Sequence, residues 1–179
     1  MRNFIVLVAC SLLIGGCRDR GREPNLEPLA RGLSEAMQPA YADFALEIRA
    51  VDNGGRVTLH CVLRNVSIGG TAITVDASTL PWANSDIFDI NAVAANGKVV
   101  RRTPPPPVVA RISGVPTPLI VESGKSIEGD IDLAETPIKE VPRNEDLLIL
   151  WGTSMAEIRP DSPWVSMRGV SFLKARSIL

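Results

Sequence analysis

From Phe44 onward the chain alternates apolar and polar residues in steps of two, and that period commits it to β structure. Phe44, Leu46, Ile48 and Ala50 fall on one side of an extended segment, against Ala45, Glu47, Arg49 and Val51 on the other. Asp52-Asn53-Gly54-Gly55 then supplies residues able to take positive φ, and residues 56–65 resume the alternation, which predicts a hairpin. The same reading predicts strands near 71–76, 86–95, 98–102, 108–112, 119–122, 126–133, 147–151 and 165–173, separated by turn signals such as Ile68-Gly69-Gly70, Ala95-Asn96-Gly97 and Ser123-Gly124-Lys125. Many short strands with few helical stretches favour an all-β fold, an antiparallel Ig-like β-sandwich.

The first residues follow a different rule. Met1-Arg2-Asn3 precedes an apolar run over residues 4–14, well short of the roughly 20 residues needed to span a membrane but suited to a secretory signal peptide. The run closes on Leu13-Ile14-Gly15-Gly16-Cys17, an order that resembles the lipobox of bacterial lipoproteins. That resemblance implies a signal peptide over 1–16, lipid (palmitate among the acyl chains) on Cys17, and a protein held at a membrane of the cell envelope, facing the periplasm or exterior. Arg18 stands where an aspartate would retain a lipoprotein at the inner membrane, which points to the outer membrane. Residues 17–43 read as the lipidated cysteine, a charged Pro/Gly-containing tether and one short helix, from the spacing of Leu29, Leu33, Ala36 and Met37 before Pro39. Residues 44–179 form the β domain.

Without residues 1–16, 163 of the 179 residues remain, enough for one domain with a sizeable core. Arg2 leaves with the signal, so 18 basic residues face 20 acidic ones. That balance, with one Tyr and four Phe in the whole chain, excludes the basic, aromatic-studded face expected of a nucleic-acid binder.

Between residues 57 and 133 the order of features resembles a known module. Arg64-Asn65-Val66-Ser67 precedes Leu80-Pro81-Trp82; Phe88-Asp89-Ile90 runs into Ala94-Ala95-Asn96-Gly97; the stretch from Ile120 through Gly124-Lys125-Ser126-Ile127 leads to Gly129-Asp130-Ile131-Asp132-Leu133. This is similar to the Ig-like module preceding the catalytic domain of peptidyl-Lys and deuterolysin-type metallopeptidases. The resemblance implies the fold. It withholds the activity, because those enzymes hold zinc on a His-Glu-x-x-His helix and His60 is the single histidine here.

The residues that could carry chemistry mostly have plainer roles. Cys10 leaves with the signal and Cys17 takes lipid, so Cys61 is the remaining thiol, placed by alternation on the apolar face while His60 points to the opposite one. Gly124-Lys125-Ser126 lacks the earlier glycine of a phosphate loop, and Ser171-Phe172-Leu173-Lys174 fits Ser-x-x-Lys but on a strand, where that motif needs a helix start. Asn65-Val66-Ser67 matches a glycosylation acceptor, which a bacterial lipid signal makes irrelevant. Glu128, Asp130 and Asp132 share one strand face; calcium binding or acid and base work is conceivable there, and a solvated face that discourages edge pairing is the expectation. No catalytic residue, metal ligand or cofactor is assigned.

What remains is a binding surface. Trp151 should fill the core, while Trp82 and Trp164 lie in loop-like settings that either plug the core or anchor a partner. The stiff run Pro104 to Pro107, with Arg101 and Arg102 before it, offers a preordered connection, so Trp82, Arg101, Arg102, Pro105, Pro106 and Trp164 are the candidate contact residues. The expectation is a non-catalytic envelope module binding a protein or wall component. An inhibitor or immunity protein against a secreted toxin or peptidase is the alternative, with a carboxylate-dependent hydrolase behind it.

Overall fold

The computed structural model describes residues 26–37, 43–83, 88–94, 97–99, 115–136, 141, 144–159 and 164–176. One helix, α1 (Glu27–Met37), is followed by β1 (Phe44–Asn53), β2 (Arg56–Asn65), β3 (Ile73–Asp76), β4 (Asp89–Ala94), β5 (Pro118–Val121), β6 (Ser126–Asp132), β7 (Leu147–Ala156) and β8 (Trp164–Leu173). The strands form three antiparallel sheets, in the orders β1-β2-β6, β3-β5 and β4-β7-β8. Among the described residues the fold is all-β with one short α-helix.

The predicted hairpin is present. Asn53 pairs with Arg56 across Gly54 and Gly55, whose φ of 72° and 127° only glycine adopts readily, and the Gly55 amide donates to the Asp52 carboxylate at 3.1 Å. Leu46 then faces Leu63, and Ile48 faces Cys61. Inner residues of all three sheets meet in a single core, with Leu59, Leu63, Val75, Ile90, Leu147, Ile149 and Met155 essentially without exposure.

Polar side chains tie the sheets together where ladders end. Buried Asn65 donates through its amide nitrogen to the carbonyls of Thr71 and Val121, and its oxygen accepts the Ser67 amide. Its donor and acceptor are thus both used, as burial of an amide requires. Asp76 caps the short 3-10 turn Ala77–Thr79 and also accepts the Thr117 amide at 3.0 Å, fixing the start of β5. The Ile158 amide donates to Thr74, linking the end of β7 to β3.

Several expectations need correction. β7 continues past Trp151 to Ala156, because Thr153 and Met155 keep the inward alternation through the polar-looking Gly152-Thr153-Ser154. Trp164 is not in a loop: it opens β8 opposite Ala156, with Val165 and Met167 buried behind it. Of the strand predicted over 98–102 the described part ends at Val99, which bridges to Val93, and the strand predicted over 108–112 lies outside the described residues.

The predicted helix forms, and it packs on the sheets. Leu26 and Ala30 are buried against Leu148 and Val170, with Leu29, Leu33 and Met37 packed around them, while Ala36 is exposed. These positions recur at helical spacing and put one apolar stripe on the outer side of β7 and β8. No helix among the described residues is long and apolar enough to cross a membrane.

Candidate functional site

The chemical candidates on the strands are engaged with one another. On the outer face of β1-β2-β6, His60 stands opposite Asp130, with Nδ1 2.8 Å from the Asp130 carboxylate and Nε2 3.6 Å from Glu128. Arg56 donates to Asp132 at 2.6 Å, and Asp132 also accepts the Ala134 amide. That amide first, then Arg56, holds the Asp132 carboxyl below its ordinary value. Each of the three carboxylates thus has a neighbour, and among the described residues no group of His, Cys, Asp and Glu is arranged to hold a metal ion.

Cys61 has no exposure and donates to the Leu59 carbonyl. Burial, with the Asp130 charge second, pushes its thiol up to about 12, so the thiolate a nucleophile requires does not form at neutral pH. His60 lies on the other face of the same strand, as the alternation requires.

The tryptophans separate. Trp151 is 4% exposed, and its ring lies over Gly169. Trp82 is half-buried with its ring across Gly129 on β6, so its indole closes the core beside that strand. Trp164 is 44% exposed. Cys17, Arg101, Arg102, Pro105 and Pro106 lie outside the described residues.

A concave feature of the described fold lies elsewhere, between α1 and β1. A groove of about 730 Å³ is walled by Glu27, Ala30, Arg31, Ser34 and Glu35 on the helix, by residues 45–51 on β1 and by Val62, Arg64 and Val66 on and just past β2, with Trp151, Val170, Ser171 and Phe172 also lining it. The helical residues are spaced i, i+3, i+4, i+7 and i+8, so one face of α1 grips the sheet while the adjacent face borders the groove. Its size is that of a small-ligand or peptide site.

The back of the groove is a seam between two edge strands. Ser171 against Ile48 and Arg176 against Asp52 show β8 running beside β1 in the same direction, yet the two share no ladder. Serine hydroxyls take the place of pairing. Ser34 donates to the Val170 carbonyl and accepts the Val170 amide, both at 2.7 Å, and Ser171 donates to the Ile48 carbonyl. Charge on the walls balances: Glu27, Glu35 and Glu47 face Arg31, Arg49 and Arg64, and Arg49 is already bonded to Glu47 at 2.7 Å.

Sequence reasoning missed this groove. The available signal was the polar stripe Glu27, Arg31, Ser34 and Glu35 beside the apolar one, but where that stripe would face depended on how the helix docks. In comparisons with known proteins, the chain matches no family model, and no curated protein resembles it.

Proposed function

We propose that the chain is a lipid-anchored protein of the bacterial cell envelope, held through Cys17, whose Ig-like β-sandwich domain holds another protein in the groove between α1 and β1. The groove carries this reading: it is concave, walled on one side by a helix and on the other by residues of β1 and β2, and balanced in charge. Size and a mixed wall fit a protein segment better than a wall polysaccharide, which is usually met by exposed aromatic faces. The engagement of Glu128, Asp130 and Asp132 with His60 and Arg56, and the raised thiol of Cys61, support a non-catalytic role. The lipid would keep the domain at the membrane while the partner is held.

Photo-crosslinking tests this directly. With the crosslinking side chain at Glu35, Arg49 or Arg64 in cells of the source bacterium, all three should yield one common protein adduct, and Lys125 on its remote turn should not. Adducts from Trp164 alone would move the working surface to the β7-β8 face and defeat the proposal.

A further inference from the structure

The sheet edges are closed unevenly. At the seam, the Ser34 hydroxyl takes both backbone groups of Val170 on β8, and the Ser171 hydroxyl takes the Ile48 carbonyl on β1. At the end of β4, Val93 bridges Val99 and the Ala94 amide donates to the Lys98 carbonyl. β6 has β2 along one side, and on the other side no described strand pairs with it.

The polarity of that free edge follows from the ladder. The Asn65 amide donates to the Lys125 carbonyl, so odd-numbered residues of β6 direct their backbone groups to β2 and even-numbered ones direct theirs away. The amides and carbonyls of Ser126, Glu128 and Asp130 therefore point outward, a row with which another chain can pair.

Side chains decide which chain that can be. Ile127, Gly129 and Ile131 lie on the inner side, where the Trp82 ring occupies the space that a Cβ of Gly129 would fill. Trp82 and Ile127 are both half-buried, so the apolar layer under β6 ends in a lip that an added strand would cover. Glu128, Asp130 and Asp132 alternate on the outer side, beside Arg56 and His60 of β2. The side chains of Glu128 and Asp130 keep 58% and 64% exposure, and a carboxylate can accept more bonds than each accepts from His60. A second copy of β6 with its apolar side inward would set acid against acid, which opposes self-pairing. A strand with Lys or Arg at every second position sets a cation beside each carboxylate.

We infer that the free edge of β6 takes an extended basic segment of another protein, which adds a strand by main-chain pairing, sets Lys or Arg against Glu128, Asp130 and Asp132, and lays apolar side chains over Trp82 and Ile127. β6 has seven residues, which at about 3.3 Å each span about 23 Å, so the segment is about seven residues long. Main-chain pairing supplies affinity in such strand addition, and alternate side chains supply choice. This edge lies on the far side of β2 from β1, and the inference does not depend on what the groove holds.

The test uses the full-length lipidated protein in detergent and three capped ten-residue peptides: Lys and Val in alternation, the same residues in two blocks, and Glu and Val in alternation. Amide exchange read by NMR should be fast at Glu128 and Asp130 and slow at Gly129 and Ile131 in the free protein. Saturation with the alternating Lys peptide should then slow Glu128 and Asp130 about tenfold or more. In anisotropy titrations the block peptide should bind about tenfold more weakly, and the Glu peptide more weakly still. Asp130→Pro removes an outward amide without touching the β2-β6 ladder, and should bind about tenfold more weakly than Asp130→Asn, which loses the same charge and keeps the amide. Slow exchange at Glu128 and Asp130 before any peptide is added would show the edge already covered and overturn the inference. Equal affinity for the alternating and block Lys peptides, as attraction by charge alone would give, would also overturn it, as would binding that leaves those two amides unchanged or no binding of any peptide. A concentration-dependent dimer that slows the same amides would assign the edge to a second copy and equally overturn it.

Discussion

One hydroxyl, Ser34 Oγ, closes both backbone groups of Val170: it donates to the carbonyl and accepts the amide, each at 2.7 Å. A side chain from a helix thereby substitutes for a neighbouring strand on the edge of β8, which shields that edge from pairing with another chain. Ser34→Ala should cost about 1 to 3 kcal/mol, and hydrogen exchange should quicken at the Val170 amide and through α1 before it does in β2. Unchanged protection at Val170 would mean the clamp contributes nothing.

Two glycines should respond in opposite directions. A Cβ at Gly169 would run into the Trp151 ring and the Ser34 hydroxyl, so Gly169→Ala should destabilise by about 1 to 3 kcal/mol in urea unfolding. Gly32, within α1, faces open space, and Gly32→Ala should stabilise by up to about 1 kcal/mol. Equal effects of one sign would contradict the packing of α1 on β8.

Neighbours on β2 separate core from surface. Leu59 has no exposure, so Leu59→Ala should cost about 2 to 5 kcal/mol through lost burial and a residual cavity. His60→Ala, beside it in sequence but outward on the strand, should cost under about 1 kcal/mol, since its contacts with Glu128 and Asp130 are solvent-exposed. Thermal and urea midpoints of the pair measure this.

Acid should unfold the protein through named carboxylates. Burial pushes Asp76 up, but the Ser78 hydroxyl and the Thr117 and Ser78 amides together hold it below its ordinary value, and Asp132 is lowered by Ala134 and Arg56. Both bind fewer protons folded than unfolded, so their contribution is complete above the ordinary aspartate range and is lost as pH falls through it. Glu157 has the opposite sign, because burial raises it. Its contribution is present below the ordinary glutamate range and is lost as pH rises through the raised value. Asp76→Asn should flatten the acid limb of a stability-versus-pH curve, and Glu157→Gln should gain stability near about pH 7 and lose that advantage near about pH 4.

Anchoring makes a prediction outside the folded domain. Cys17→Ser should leave the chain unprocessed or move it out of the detergent-extracted fraction, since stable attachment takes more than one acyl chain. Mass spectrometry of the mature N-terminal peptide should find the lipid on Cys17; attachment to membranes with no lipid there would refute it.

The strands were legible because alternation is local. Each of Leu46, Ile48, Leu59, Cys61 and Leu63 declares its face through its immediate neighbours, and Gly54-Gly55 sets the register of the hairpin. Cys61 and His60 on opposite faces of one strand, and a helix near Leu29 and Leu33, follow from the same arithmetic. Only the tertiary structure decided how far β7 runs, that Trp164 opens a strand while Trp82 lies across Gly129, and that α1 docks beside β8 and leaves a groove along β1. Those outcomes depend on which edges meet, and the hydroxyls of Ser34 and Ser171 that settle the seam act across 136 and 123 residues of sequence. Periodicity says which way a side chain points, but what it meets there is fixed by packing between segments distant in the chain.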